Sequence, residues 1–488
     1  MNILVLDVGS SGMRGTLFNE SGEALAFEAR SYGPRFLDNG WVEQAPEDWE
    51  DAMYAILSAL ASTAAERGWG IDALALTSQR SSVICADAAM APIGPAIMWQ
   101  DRRTEAVCAA LEGENDTVFS RSGARLNSVY SGPKMAWVRQ NRPELYAQTA
   151  KFLTVPELLL YRLTGEAYLD HSYGGRSHLM NLRERRWDSV LLDLFGVERE
   201  KLNGLVPPGA VVGRLTRSAA ARTGCPEGIP VITAGGDQQC GAVGQGVVCE
   251  GAVSITVGTG GFLLAAAERV PEARGADVII TPASIAGQYV LEYNLLTCCA
   301  AFDWFRREFY PGDGDFERIE AELRRSPAGA KGCLCLPYFQ GRATPDYNGS
   351  ARGLFANLDL GARRCDLLRA LVEGLCCELG NGLEAMGRYV EVGRVQVNGG
   401  LSNSPVFREI LAAVCSRPLL CGGAEDATAF GAFLVSAATL GLYPDVPAAY
   451  AACGGSDGLR LCEPDPAAAA LYARQRGRMN ALYREIAP

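Results

Sequence analysis

The stretch ILVLDVGSSGMRG, Ile3 to Gly15, joins an apolar, strand-like run to a turn of unusual make-up. The run from Ile3 to Leu6 ends in a carboxylate, Asp7, and the next eight residues hold three glycines, two serines and Arg14. Glycine lets backbone N–H groups approach an anion closely and adopts positive φ, so such a turn can cradle a phosphate. Two further turns share this character, VGTGGF (Val257 to Phe262) and VNGGLSNSP (Val397 to Pro405). Each follows an apolar strand, and three together favour a nucleotide held between two halves of the chain. The Walker pattern G-x-x-x-x-G-K-[ST] is absent, and no G-x-G-x-x-G opens a helix after a strand. The letters therefore point away from a P-loop, a dinucleotide fold and a kinase-type glycine loop.

At 488 residues the chain exceeds what one core usually supports, so two domains of roughly 240 residues are expected. With 48% hydrophobic and 21% charged residues and a net charge of −11, it has the composition of a soluble globular protein and disfavours a nucleic-acid partner. No basic n-region with a following apolar stretch opens the chain, and no segment suits a membrane span; the expectation is a cytoplasmic protein. Sixteen cysteines and only two histidines, His171 and His178, without a CxxC pair, predict reduced, mostly buried thiols and no zinc site.

Strand-like and helix-like segments alternate through the first 240 residues: NILVLDV, GTLFN, a helix from Pro46 to Arg67, then IDALALTS. The style recurs in GAVSITVGTGGFLLAAA, which suggests two related halves. The boundary, a hinge near Gly244 to Gly246, divides the chain into 1–244 and 245–488. Later, the spacing of Leu367, Leu368, Leu371, Leu375 and Leu383 predicts a helix with one apolar face. Ser404 and Pro405 predict the start of another, with Phe407, Ile410, Leu411 and Val414 inward.

In TAGGDQQCGAVGQG, Asp237 follows the apolar strand Ile229 to Ala234 and two glycines, so its carboxylate should emerge at a strand end facing a cleft. A charge so placed is desolvated unless used or paired, and capping a helix is the competing reading.

With these residues in view, the chain resembles the FGGY carbohydrate kinases, relatives of glycerol kinase and xylulokinase. The ordered matches are LDVGSSGMRG, GWVEQAPEDWE, WQDRRT, AGGDQQCGAVGQG, TVGTGGF, PYFQGRATPDYNGSARG, VNGGLSNSPVFREILA and EDATAFGAFLVSA. The resemblance implies an α/β, two-domain actin-like ATPase fold, shared with sugar kinases and Hsp70, with a cleft between the domains. It implies ATP and Mg²⁺, with the ATP-binding groups Ser10, Ser11 and Arg14 on the first phosphate loop and Gly258, Thr259 and Gly260 on the second. Gly399, Gly400 and Asn403 would lie by the adenosine. Asp7 would hold the metal, with Asp237 beside it, and Asp237 takes the position of the catalytic base.

For the acceptor side the resemblance implies Gln79, Arg80, Gln238, Trp99 and Asp101, with Trp99, Asp101 and Arg102 shaping the wall. Gln79 and Arg80 match the glycerol kinases, but the glutamate that follows there is Ser81 here, and a substrate tyrosine aligns with Val129. The Met-His of xylulokinases is missing as well. The acceptor is therefore read as a small sugar or polyol, a ketopentose such as xylulose or a related polyol, with glycerol as the alternative. A nucleotide-driven conformational protein of the chaperone or filament kind is the competing class. The family is also compatible with a homodimer.

Overall fold

The computed structural model describes residues 1–271, 275, 277–310, 312 and 315–486. Strand Ile3–Val8 (β1) lies at the centre of a six-stranded sheet, and its alternation feeds two cores. Leu4, Leu6 and Val8 join one apolar cluster, Ile3 and Val5 the other. A strand covered on both faces needs an unbroken aliphatic run, as found here. Strand β1 pairs antiparallel with Gly12–Phe18 (β2), and β2 with Ala24–Ser31 (β3). Helix Pro46–Arg67 (α1) starts with proline and acids in its first turn and stops at Gly68, whose φ is 71°. It buries Trp49, Met53, Ile56, Leu57 and Leu60 over the sheet. Ala73–Ser78 (β4), Val211–Arg214 (β5) and Pro230–Gly236 (β6) complete the order β5-β6-β4-β1-β2-β3, with β1, β4 and β6 parallel. Asp237–Gly244 (α2) follows β6 directly.

The second sheet holds Val253–Val257 (β7), Gly261–Ala267 (β8), Ile279–Pro282 (β9), Tyr289–Leu295 (β10), Val395–Asn398 (β11), Leu419–Cys421 (β12) and Arg460–Cys462 (β13), in the order β9-β10-β8-β7-β11-β12-β13. In both sheets a first strand has an antiparallel neighbour on one side and a parallel one on the other, β2-β1-β4 and β8-β7-β11. The likeness of the halves expected from the recurring turns is thus present in the topology.

Helices Cys299–Phe309 (α3), Arg364–Met386 (α4), Pro405–Cys415 (α5), Ala427–Thr439 (α6) and Pro466–Ile486 (α7) follow. The Ser404 hydroxyl caps α5 by accepting from the Phe407 N–H at 3.0 Å. Helix α4 departs from the one-faced pattern: it is buried nearly all round, between the second sheet and α5 and α7. Three of its four acids, Asp366, Glu373 and Glu378, are consequently internal and satisfied. Glu378 accepts from Tyr293, Tyr338 and Arg342 at 2.7–3.0 Å, and Glu373 from Arg369, Tyr472 and Gln475 at 2.7–2.9 Å.

Helix α6 returns to the first sheet, where Ala429, Phe430, Phe433 and Leu434 share a core with Ile3, Val5, Ala75 and Ile232. It crosses α2 backbone to backbone: a Cβ on Gly431 would stand 1.8 Å from the Cys240 carbonyl oxygen, and one on Gly244 2.0 Å from that of Ala427. All sixteen cysteines are free and ten are buried. Among the described residues no helix is long and apolar enough to cross a membrane.

Candidate active site

The three parallel strands of the first sheet end level with one another. Val8 lies beside Ser78, and Ser78 beside Gly236. The next residues along each, the Gly9–Ser11 turn, Gln79–Arg80 and Asp237, therefore emerge together at the carboxyl edge, where α/β sheets hold ligands. In the second sheet Thr256 lies beside Asn398, so the 258–260 and 399–403 turns are likewise brought side by side.

Asp237 is the first residue of α2, with its carboxylate accepting the Gln238 N–H at 2.8 Å. The strand end beneath it is pinned: Thr77 and Tyr173 hydroxyls both donate to the Gly235 carbonyl at 2.8 Å, and the Gly236 N–H donates to Ser172 at 2.9 Å. Gly235 has φ 116° and would carry a Cβ 2.2 Å from the Ser284 hydroxyl, so only glycine serves there. Desolvation raises the Asp237 carboxyl above the usual aspartate value, with Arg80 pulling it down. A capping role does not account for it, because the N-cap is Gly236 and the side chain faces Arg80.

Arg80 is itself buried and spends its guanidinium on three groups. Its Nε stands 3.5 Å from Asp237, Nη1 donates to Glu292 at 3.3 Å, and Nη2 donates to the Gln238 amide oxygen. Glu292 comes from β10, in the other half, and lies 3.6 Å from Arg176. Arg176 also donates to the Tyr130 hydroxyl at 2.9 Å and lies over that ring. Gln79 is buried, accepting from Ser82 at 3.1 Å and Ser10 at 3.4 Å, and the Trp99 indole donates to Ser10 at 2.8 Å. Trp99 remains more than one-third exposed, so its ring is available beside the turn.

Asp101 requires a correction. It is fully buried, accepting the Val42 N–H at 2.6 Å and the Arg103 guanidinium at 2.8–2.9 Å, and so braces the segment carrying Trp99 instead of facing an acceptor. Arg102 points to solvent. His178 stacks behind Tyr130 at 3.6 Å with Ser122 on its Nδ1, a buried support. Burial, then the charge of Arg185, lowers the pKa of His171 to about 4, so it is neutral at physiological pH.

At the glycine-rich turns, Gly9 closes the first by donating to Gly12 at 2.9 Å, leaving Ser11 exposed and Ser10 half-buried. Asp7 lies half-buried at its base. Burial, then the charges of Asp237 and Asp426, push its carboxyl up to about 7 against the pull of Arg14. Arg14 reaches Asp426 at 3.6 Å. Gly258 donates to Gly260 at 3.0 Å, and Thr259 is exposed at the tip. Gly399, Gly400 and Asn403 are exposed in the adjacent turn. Gly399, at φ 96°, would set a Cβ 2.5 Å from the Val257 carbonyl oxygen. Cys299 lies between these turns, its thiol donating to Val257 at 3.1 Å.

Sequence reasoning missed Glu292, Arg176, Tyr130 and the Ser172–Tyr173 brace. Tyr130, next to the aligned Val129, and Ser172, Tyr173 and Arg176, in the SYGGRS stretch that matches a family loop near the sugar, carried a local signal; Glu292 meets the site through tertiary packing alone.

Residues 2–244 match the N-terminal domain, and residues 253–440 the C-terminal domain, of the FGGY family of carbohydrate kinases. A xylulose kinase from Bacillus subtilis is 27% identical over 89% of this chain and 87% of its own length. A glycerol kinase from Alkalilimnicola ehrlichii is 30% identical over 92% of each. The crystal structure of a gluconate kinase from Lactobacillus acidophilus superposes with a TM-score of 0.93 at 21% identity, covering 100% of this chain and 98% of that one. With both domain matches in order along a duplicated two-sheet architecture, the chain belongs to the FGGY family of carbohydrate kinases and has their actin-like fold.

Proposed function

We propose that this carbohydrate kinase transfers the γ-phosphoryl group of ATP to a hydroxyl of a neutral ketose or polyol, with Asp237 as the general base. The observation that carries the reading is the Asp237 carboxylate at a pinned strand end, raised in pKa and flanked by Arg80 and Gln238. A sugar hydroxyl does not ionise at neutral pH, so a carboxylate must orient it and accept its proton as the bond to phosphorus forms. Arg80 keeps Asp237 from swinging away, and Gln238 and Trp99 provide polar and aromatic surface for an acceptor. Ser10, Ser11 and the 258–260 turn present N–H and hydroxyl donors to phosphates, while the 399–403 turn flanks the nucleoside.

Asp7 and Asp237, coupled carboxylates with an incomplete share of cation, suit a divalent ion. Mg²⁺ is held by one or two carboxylates together with waters and phosphate oxygens, a demand these two side chains can meet. When bound, Mg²⁺ would supply charge neutralisation at the phosphates.

Neutrality of the acceptor follows from counting the buried charges. Arg80 and Arg176 face Asp237 and Glu292, two cations against two carboxylates, so neither arginine is left for a substrate carboxylate. Ser81 removes the glutamate of glycerol kinases and turns its hydroxyl to the Arg176 carbonyl at 3.2 Å, which favours a larger acceptor over glycerol. The test is ADP release with xylulose, glycerol and gluconate. Xylulose is expected to exceed gluconate in kcat/KM by about tenfold or more; a preference for gluconate would overturn the charge argument. The family match sets aside the chaperone- or filament-like reading.

A further inference from the structure

We propose that Glu292 is a positioning residue for the acceptor site, a carboxylate sent across from the second sheet to hold Arg80 and Arg176 in place. It lies on β10 and is 1% exposed, whereas both arginines belong to the first half of the chain. Four groups converge on it: Arg80 Nη1 at 3.3 Å, Arg176 Nη1 at 3.6 Å, the Thr281 hydroxyl at 2.8 Å and the Gln239 amide at 3.2 Å. Thr281 and Gln239 fix the carboxylate from both halves, so it is a rigid anchor. A buried carboxylate is retained only where paired and hydrogen-bonded, and here the two arginines hold its pKa below the usual glutamate value.

The anchor acts through geometry. Arg80 has three bonding directions, and Glu292 takes the one that neither Asp237 nor Gln238 fills. Without it the guanidinium loses the partner that sets its rotation, and its present 3.5 Å contact with Asp237 can tighten at the expense of the acceptor. Arg176 loses the same partner, and with it the orientation of Tyr130. Nothing on Glu292 reaches the nucleotide turns, so its influence is confined to the acceptor.

The inference rests on the reading of Arg80 and Asp237 as acceptor-side groups. The test is a double-mutant cycle of Glu292→Gln and Arg80→Ala in the full chain, with ATP and xylulose as substrates and thermal melting of each variant. Glutamine keeps the shape and the bonds from Thr281 and Gln239, so folding is retained. Glu292→Gln is expected to raise KM for xylulose by about tenfold or more while KM for ATP stays within about twofold. Glu292→Asp, which keeps the charge, recovers part of the loss. Added to Arg80→Ala, Glu292→Gln causes less than about a threefold further loss, and a smaller drop in melting temperature than it causes alone, because only Arg176 is then left without its carboxylate. An unchanged xylulose KM in Glu292→Gln, equal losses for both substrates, or fully additive losses would overturn the proposal. Asp237→Asn measured alongside keeps the two readings apart. If that variant turns over, the base assignment fails, and the melting cycle still reports whether Glu292 and Arg80 are coupled.

Discussion

Asp237→Asn is expected to lower kcat for sugar-dependent ADP release by about a thousandfold, or roughly 4 kcal/mol of transition-state stabilisation. The amide keeps the size of the side chain and its contact with the Gln238 N–H, so α2 starts unchanged; what it loses is the ability to accept a proton. KM for ATP should change by less than about tenfold, since the Gly9–Ser11, 258–260 and 399–403 turns are untouched and Asp7 remains to hold the metal. Steady-state kinetics with a melting curve to verify folding suffices. Turnover within about tenfold of the unaltered protein would sink the general-base assignment.

The second large effect concerns stability. Gly431→Ala should destabilise the protein by about 3 kcal/mol or more, because the added methyl meets Cys240 and Gly244 backbone atoms that no rotamer change can move. Helices α2 and α6 must then separate, carrying Asp237 with them, so activity should fall along with the melting temperature. Gly477→Ala is the matched control. It lies on the solvent side of helix α7, and a methyl added there would meet nothing within 4 Å, so the substitution should stabilise by about 0.5–1 kcal/mol through helix propensity alone. Thermal melts of the two variants side by side check the pair; a Gly431→Ala protein as stable as its parent would mean the helices do not touch as described.

Local chemistry explains which features were legible in the sequence. Helix α1 could be read from Pro46, its apolar spacing and the stop at Gly68, and α5 from Ser404 and Pro405, because caps and periodicity act over a few residues. The turns at 9–11, 258–260 and 399–403 announced themselves through their glycines. Asp101 misled because its neighbours match a family motif while its carboxylate is used by Val42, 59 residues away, and by Arg103. Glu292 gave no sign: LEYN reads as an ordinary strand segment, and the value of its carboxylate arises only when β10 is laid against Arg80, 212 residues earlier. Helix α4 misled for a similar reason, since Glu373 and Glu378 look like a solvent face until their tyrosine and arginine partners are in place.

The return of α6 to the first sheet has a bearing on how this chain can be taken apart. Residues 1–244 alone would present Ile3, Val5, Ala75, Ile232 and Ala234 to water, a wet apolar face where the intact molecule has Phe430, Phe433 and Leu434. The last third of the polypeptide is thus the roof of the first, and severing the two at the glycine-rich link would yield a sticky fragment. Recombining the halves of different relatives at that link would succeed only if the segment around 427–439 travelled with the sheet it shelters.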